Sequence, residues 1–375
     1  MESLRTPALI LDERRLAANI ARVHAVIDRH AGVSLRPHFK TMKCVEIAER
    51  VFHGKRQATV STLREAECLC AQGVFDILYA VGISPHKLPA IGQLQERGAR
   101  VGVVLDDLEV ARAVADWAAS AAKPLAVSIE IDTDGHRAGV KPDSTQLIPI
   151  AQMLANARGV EFVGVMTHAG ASYECRTTSD IIRVAEMERS GAVRAAERIR
   201  AAGLACRRVS VGSTPTILFA KSLEGVSEAR VGVAYFNDLT MVGLGVCTTD
   251  EVAVSVLTTV IGHQPGRNRL LIDAGWMALS ADRGRASQMV FKGYGLVTDL
   301  SQRVLPDLGV LDSNQEHGLI GPAGNEPIDF ARFPIGSRLR ILPNHACATA
   351  AAFGEYQVAA ADGELVARWQ RCSGW

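Results

Sequence analysis

Short apolar runs alternate with longer amphipathic segments over roughly the first 240 residues of the chain. Most runs are continuously apolar, as is typical of parallel strands whose outer face is covered by helices. The segments between them are rich in Ala, Leu, Glu and Arg and predict helices, the first of which begins after an N-cap at Asp12 and ends near residue 29. Eight strands are predicted, at residues 33–37, 58–61, 77–81, 100–105, 125–131, 161–166, 208–211 and 228–233.

Eight strand–helix units of this total length predict a (β/α)8 barrel for residues 8–245. A doubly wound parallel sheet is the alternative, because strand order cannot be read from a sequence. Helical periodicity is largely lost beyond residue 245, where Gly, Pro and Asp turns separate short β-rich runs. We therefore predict a mostly antiparallel β domain of residues 246–375, joined by residues 1–7. Its predicted strands lie at residues 252–261, 269–273, 293–297, 309–311, 338–341 and 357–360.

Composition excludes several classes of protein. The sum of 41 Lys+Arg against 40 Asp+Glu gives a net charge of +1 without a basic run, so we predict neither a nucleic-acid nor a membrane partner. No apolar stretch reaches the length of a membrane-spanning helix, and the first residues lack the pattern of a secretory signal. The 8 cysteines follow no disulfide framework, which predicts a reduced, cytoplasmic protein.

A lysine follows the first predicted strand. Lys40 lies between His38 and Thr41, where an amine can be held rigidly and partly desolvated. Desolvation lowers the pKa of a lysine, and only the neutral amine forms a Schiff base with an aldehyde. Taken alone, an ordinary solvated lysine is the more common case, because lysines are mostly exposed.

Polar side chains also follow the later strands, at the end where barrel enzymes build their sites. Asp132 follows the fifth strand, His168 follows the sixth, and Tyr235 lies near the end of the eighth. After the seventh, Gly212-Ser213-Thr214 could bind a phosphate, because glycine lets the backbone approach an anion that hydroxyl and N–H groups then bind. Such triplets are common in turns, so this triplet alone does not predict a site. The polar residues that follow several strands predict it together.

Near the end of the chain, a histidine and a cysteine are separated by one residue. In an extended backbone His345 and Cys347 would share one face and could bind one borderline-soft metal ion. A buried cysteine beside a packed histidine is the alternative when the pair is considered alone.

These segments together resemble the fold type III, alanine-racemase-type pyridoxal-phosphate (PLP) enzymes, and within them the D-serine dehydratase-like family. The resemblance covers essentially the whole chain, with matching order and spacing. It rests on five segments: RPHFKTMK at 36–43, IDTDGHRAG at 131–139, THAGASYE at 167–174, SVGSTPT at 210–216 and PNHAC at 343–347.

The resemblance implies PLP as cofactor and gives each site residue a role. Lys40 would form the Schiff base and, once released by substrate, remove the α-proton. His168 would lie against the pyridine ring, with Tyr173 approaching from the same side. Arg137 would contact the phenolic oxygen of the cofactor, and Arg230 would face the ring nitrogen unless its side chain points away. The phosphate would be bound by Ser213, Thr214 and Gly232, with Tyr235 nearby. His345 and Cys347 would bind a divalent metal.

The implied reaction is metal-dependent dehydration of a D-3-hydroxy amino acid, such as D-threo-3-hydroxyaspartate or D-serine, to a 2-keto acid and ammonia. D-threonine aldolases resemble the same family but carry His-x-Asp at the metal pair, so Cys347 favours a dehydratase. Its thiolate favours Zn²⁺, with Mn²⁺, Mg²⁺ and Co²⁺ as alternatives. The pair also argues against an amino-acid racemase, which would not need it, and the second domain argues against a non-catalytic PLP carrier, because such carriers are single barrels.

Met42, where many relatives have a polar residue, leaves the identity of the substrate open. The resemblance also implies a homodimer whose active site is completed across the interface.

Overall fold

The computed structural model describes residues 1, 3–284, 290, 293–324 and 326–375. They form two compact units. The first comprises Val23–Gly232 with Cys372–Trp375, and the second comprises Met1–Arg22 with Val233–Arg371. No helix in these ranges combines the length and the apolar character that crossing a membrane requires.

The first unit is built on a sheet of eight parallel strands in the order β2-β9-β8-β7-β6-β5-β4-β3. A parallel bridge between His38 and Thr59 joins the two ends of this order, so the sheet closes into a barrel. The predicted (β/α)8 barrel is therefore confirmed, and the doubly wound alternative is excluded. The strands are β2 (Ser34–Leu35), β3 (Gln57–Val60), β4 (Asp76–Gly82), β5 (Arg100–Leu105), β6 (Leu125–Ile131), β7 (Val160–Thr167), β8 (Arg208–Val211) and β9 (Glu228–Ala229).

The first and last barrel strands are shorter than predicted. Beyond their ends the pairing continues as single hydrogen bonds, from Arg36 N–H to Ala229 O at 2.9 Å and from His38 N–H to Val231 O at 2.7 Å. Pro37 has no N–H to donate, so a regular ladder cannot form there. The chain leaves regular structure just before Lys40.

Helices follow the barrel strands, and several begin on a side-chain cap. Arg15 N–H donates to Asp12 Oδ1 at 2.8 Å, as predicted for the first helix. Thr62, Asp107 and Thr177 cap the third, fifth and seventh helices in the same way. The helices are α1 (Glu13–Ile27), α2 (Val45–Val51), α3 (Leu63–Ala71), α4 (Leu88–Glu96), α5 (Leu108–Ala118), α6 (Leu147–Asn156), α7 (Thr178–Ala201), α8 (Thr214–Phe219), α9 (Leu239–Gly243), α10 (Trp276–Leu279) and α11 (Ala346–Ala351).

A buried charge network stabilises the end of the barrel where the strands begin. Arg36 is 1% exposed and donates to Glu228 at 2.7 Å and to Asp76 at 2.8 Å. Burial raises the pKa of Glu228, but the charge of Arg36 outweighs it and holds that pKa below its usual value. The pair stays ionised inside the barrel at neutral pH.

The second unit is a nine-stranded sheet in the order β11-β14-β13-β12-β15-β10-β1-β16-β17. β10 also pairs with β11, which closes six of these strands into a small barrel, and every pairing is antiparallel except β1 with β16. The predicted antiparallel β domain is confirmed. Its strands are β1 (Ala8–Asp12), β10 (Val254–Gln264), β11 (Arg269–Ile272), β12 (Leu296–Thr298), β13 (Val304–Ser313), β14 (Gly318–Pro322), β15 (Arg338–Leu342), β16 (Glu355–Ala359) and β17 (Leu365–Gln370).

Candidate active site

Lys40 lies in the turn that follows the closing bridge of the barrel. His38 forms that bridge, and Phe39 N–H donates to Thr59 O at 2.8 Å, so the backbone on the N-terminal side of Lys40 is fixed to β3. Lys40 N–H lies 3.4 Å from His38 Nδ1. The next residue, Thr41, is buried, whereas the Lys40 side chain is half-buried. The structure therefore fixes the backbone of Lys40 at a strand end.

Two histidines near Lys40 are kept neutral. Burial, followed by the charges of Lys40 and Arg137, lowers the pKa of His168 to about 3. Burial, followed by the charges of Lys40 and Arg230, lowers the pKa of His38 well below its usual value. The same shifts show that Lys40, His168, Arg137 and Arg230 gather at one end of the barrel unit. Lys40, Arg137 and Arg230 bring positive charge to this end, which favours an anionic ligand, and the acidic groups of Glu130 and Glu188 also act on Arg230.

The loop after β7 carries His168 and Tyr173. His168 Nδ1 lies 2.6 Å from Gly212 O, which fixes the tautomer as Nδ1–H because a carbonyl only accepts. The rings of His168 and Tyr173 are 6.2 Å apart and inclined by 35°. Ser172 Oγ lies 2.8 Å from Ser213 Oγ and links this loop to the one after β8.

The loop after β8 carries the predicted phosphate-binding residues. Ser213 is the N-cap of α8, and its hydroxyl accepts from Thr216 N–H at 3.3 Å within a capping box. Thr214 is the first residue of α8 and is buried. Gly212 has φ +145°, and a Cβ there would overlap the carbonyl oxygen of Arg230, so only glycine fits.

The segment after β9 carries Arg230 and Gly232. Arg230 is 4% exposed, and its guanidinium donates to Ser210 Oγ at 2.9 Å and to Thr167 O. A Cβ on Gly232 would lie 3.0 Å from Thr41 Oγ1 and 3.3 Å from His38 Cβ. Gly232 therefore leaves the backbone open beside the segment that carries Lys40.

Tyr235, His345 and Cys347 belong to the second unit. Within the described part of the chain the buried Tyr235 hydroxyl has no hydrogen-bond partner, and burial raises its pKa above the usual range. An orphaned buried hydroxyl is costly unless a ligand satisfies it.

The prediction of an extended backbone at the histidine–cysteine pair is wrong. His345 has extended angles, but it is the N-cap of α11, and Cys347 is the second residue of that helix. Burial lowers the pKa of His345, yet hydrogen bonds to Asp282 and to the Cys347 side chain outweigh it and raise the pKa to about 11. The two side chains therefore meet by another route, at the start of a helix. The described residues include no group of three or more His, Cys, Asp or Glu side chains arranged to hold a metal.

Three acidic residues that contact predicted site residues or their sequence neighbours were missed by sequence reasoning. Asp282 Oδ2 lies 2.6 Å from His345 Nδ1, and Asp238 Oδ2 accepts from Ala346 N–H at 2.9 Å. Glu188, in α7, accepts from the loops after β7 and β8. Only Asp238 has a local signal, as the N-cap of α9, because its Oδ1 accepts from Met241 N–H at 3.0 Å.

Comparison with known proteins gives consistent results for both parts of the chain. The profile of the alanine racemase N-terminal domain matches residues 11–239, and that of the "Putative serine dehydratase domain" matches residues 253–359. D-threo-3-hydroxyaspartate dehydratase of Delftia sp. (strain HT23) is 50% identical over 376 residues, which cover 100% of this chain and 98% of that protein. D-threonine aldolase of Arthrobacter sp. is 29% identical over 349 residues, which cover 91% and 85%.

A solved structure matches over the same length. It is a cysteine-to-alanine mutant of D-threo-3-hydroxyaspartate dehydratase in the metal-free form, with a TM-score of 0.96 and 48% identity, covering 100% of this chain and 99% of that one.

Proposed function

The chain belongs to the alanine racemase family, in the branch that carries a serine dehydratase domain, and from this premise we propose that it is a PLP-dependent lyase. Its reaction would be dehydration of a D-3-hydroxy amino acid to a 2-keto acid and ammonia, with D-threo-3-hydroxyaspartate as first candidate substrate and D-serine as second. The observation that carries this proposal is the cationic strand-end cluster around Lys40 in a chain that is 50% identical to a dehydratase over its whole length.

The residues of the barrel end fit PLP. The phosphate would be held by Ser213, Thr214 and the open backbone at Gly232, with the orphaned hydroxyl of Tyr235 as a further donor. The neutral ring of His168 would lie against the pyridine ring, with Tyr173 on the same side. Arg137 would bind the phenolic oxygen and Arg230 would face the ring nitrogen, and both add positive charge to the cluster.

PLP, when bound, supplies the electron sink that stabilises negative charge at Cα of the substrate. Lys40 would hold the cofactor through its amine and, once displaced by substrate, take the α-proton at Nζ. Because its backbone lies in a turn fixed to β3, Lys40 would approach the bound ligand from one side. His168 donates its Nδ1 proton to Gly212 O and stays neutral, so it would pack on the cofactor ring as an uncharged imidazole.

His345 and Cys347 would bind a divalent metal. The ion would supply Lewis-acid assistance to departure of the β-hydroxyl. An imidazole and a thiolate are suitable ligands for Zn²⁺, which we propose as the native metal. Asp282 hydrogen-bonds to Nδ1 of His345 and would orient the ring for this role, with Nε2 as the proposed ligand atom. Two protein ligands would leave room for substrate to bind the ion.

We further propose a homodimer in the cytoplasm. None of the eight cysteines, all of which lie in the described part of the chain, forms a disulfide bond, in keeping with a reducing compartment. The dimer, with its active site completed across the interface, rests on the family resemblance alone. Its test is the molar mass of the purified protein measured by light scattering.

Product analysis tests the reaction. Purified protein with PLP is given D-threo-3-hydroxyaspartate, D-serine or D-threonine, before and after treatment with a chelator. A 2-keto acid and ammonia in equal amounts, lost on chelation and restored by Zn²⁺, is the expected result. Glycine plus an aldehyde or glyoxylate would instead identify an aldolase, and racemised substrate that survives chelation would identify a racemase.

A further inference from the structure

The helix α7 buries one charged residue among small and apolar ones. Glu188 is 1% exposed, and a buried carboxylate costs several kcal/mol unless it is hydrogen-bonded. Glu188 has no role in the reaction proposed above, and the cost of burying its carboxylate is offset by hydrogen bonds from neighbouring protein groups. The other buried residues of α7 are Ile181, Val184, Ala185, Gly191, Ala192, Ala195, Ala196 and Ile199.

The compensating donors belong to two different loops. A single carboxylate oxygen, Oε1, accepts from Ala169 N–H at 2.8 Å and from Gly212 N–H at 3.1 Å. The hydroxyl of Thr216, in α8, also hydrogen-bonds to this side chain. Glu188 therefore joins the loop after β7, the loop after β8 and the helix that follows.

Each of these loops presents a cofactor-facing residue directly beside the contact. Ala169 follows His168, and Gly212 precedes Ser213. The Gly212 peptide is held from both sides, because its N–H donates to Glu188 while its carbonyl accepts from His168 Nδ1 at 2.6 Å. A shift of either loop relative to the other would break one of these bonds.

We infer that Glu188 is a positioning residue, which fixes the spacing of the two loops so that His168 meets the cofactor ring while Ser213 meets the cofactor phosphate. This inference rests on the proposed function, since it needs PLP at the barrel end. Glu188 touches backbone and a hydroxyl and no reacting atom, so its effect is on cofactor affinity and geometry.

The test is titration of the purified protein with PLP, followed by visible absorbance and circular dichroism. E188L removes both loop bonds, and we expect PLP to bind about tenfold more weakly or worse, with altered dichroism of the bound cofactor. E188Q keeps an oxygen for both N–H groups and should bind PLP close to wild type. E188D keeps the charge but is one methylene shorter, so it should bind between the two, and it decides the matter should the leucine variant not fold.

Two variants of the same helix are matched controls. I199A removes buried volume from α7 away from the loops and should lower thermal stability without changing PLP affinity. E186L removes an exposed carboxylate that pairs with Arg189 and should change neither the thermal stability nor the PLP affinity. Wild-type PLP affinity in E188L or E188D would overturn the inference. PLP affinity as low in E188Q as in E188L would also overturn it, because the charge of Glu188 and not the position of its oxygen would then matter. Wild-type protein that binds no PLP would instead refute the proposed function.

Discussion

The hydrogen bond between Asp282 and His345 leads to a specific prediction about the proposed metal site. D282A removes the carboxylate that orients the imidazole, and outer partners of metal-binding histidines are typically worth 10–100-fold in metal affinity. The bond is short, at 2.6 Å, but the two side chains are 48% and 39% exposed, so water screens the interaction. We therefore expect the low end of that range, about a tenfold rise in the Kd for Zn²⁺, or ~1.4 kcal/mol.

The assay is competition for Zn²⁺ between the protein and a chromogenic chelator. D282N keeps an oxygen that accepts from Nδ1–H and loses only the charge, so its affinity should lie between wild type and D282A. D299A is the matched control, because Asp299 is a carboxylate of the same unit whose partner is Arg303. Unchanged affinity in D282A, or an equal loss in D299A, would refute a specific orienting role.

Three further outcomes follow from the barrel unit. K40A should lose turnover and the visible absorbance of bound PLP, whereas K43A should keep both, because Lys43 pairs with Glu65 at 3.2 Å. G232A adds a methyl group 3.0 Å from Thr41 Oγ1 and should weaken PLP binding by about 1–3 kcal/mol, measured by titration. E228Q removes the buried carboxylate that pairs with Arg36 and leaves that cation with Asp76 alone, so it should lower the free energy of unfolding by about 3 kcal/mol at neutral pH. The folded-state pKa of Glu228 is depressed, so this loss should shrink as pH falls through that pKa, as urea denaturation across pH would show.

The barrel could be predicted because each of its strands is a local signal. Predicted strands at residues 100–105, 125–131 and 208–211 coincide with β5, β6 and β8. The prediction missed β14 and β17 for physical reasons. β14 contains two glycines and ends in Pro322, and β17 is an edge strand in which exposed residues alternate with partly buried ones.

The site could be predicted only where a chemically suitable residue directly follows a recognisable strand or lies in a recognisable local segment. Lys40 and the Ser213 loop follow recognisable strands, and the α11 helix had a usable signal in its alanine-rich sequence, because alanine has the highest helix propensity. Asp282 and Glu188 had none. Asp282 is 63 residues from His345, and Glu188 is 24 residues from Gly212, so these contacts exist only once the chain has folded.

Two buried cations of the barrel, Arg36 and Arg230, belong to one linked network, because Ser210 Oγ donates to Glu228 at 2.7 Å and accepts from Arg230 Nε at 2.9 Å. Arg36 and Glu228 meet where strands begin, and their contacts are saturated by protein groups. Lys40 and Arg230 come after strand ends, where burial, followed by the charges of Lys40 and Arg137, lowers the pKa of His168. Three residues lie between Arg36 and Lys40, so one short segment carries both a structural cation and the proposed catalytic amine. A substitution at Arg36, whose partners are all protein groups, should therefore act on unfolding, and one at Lys40 should act on the proposed chemistry.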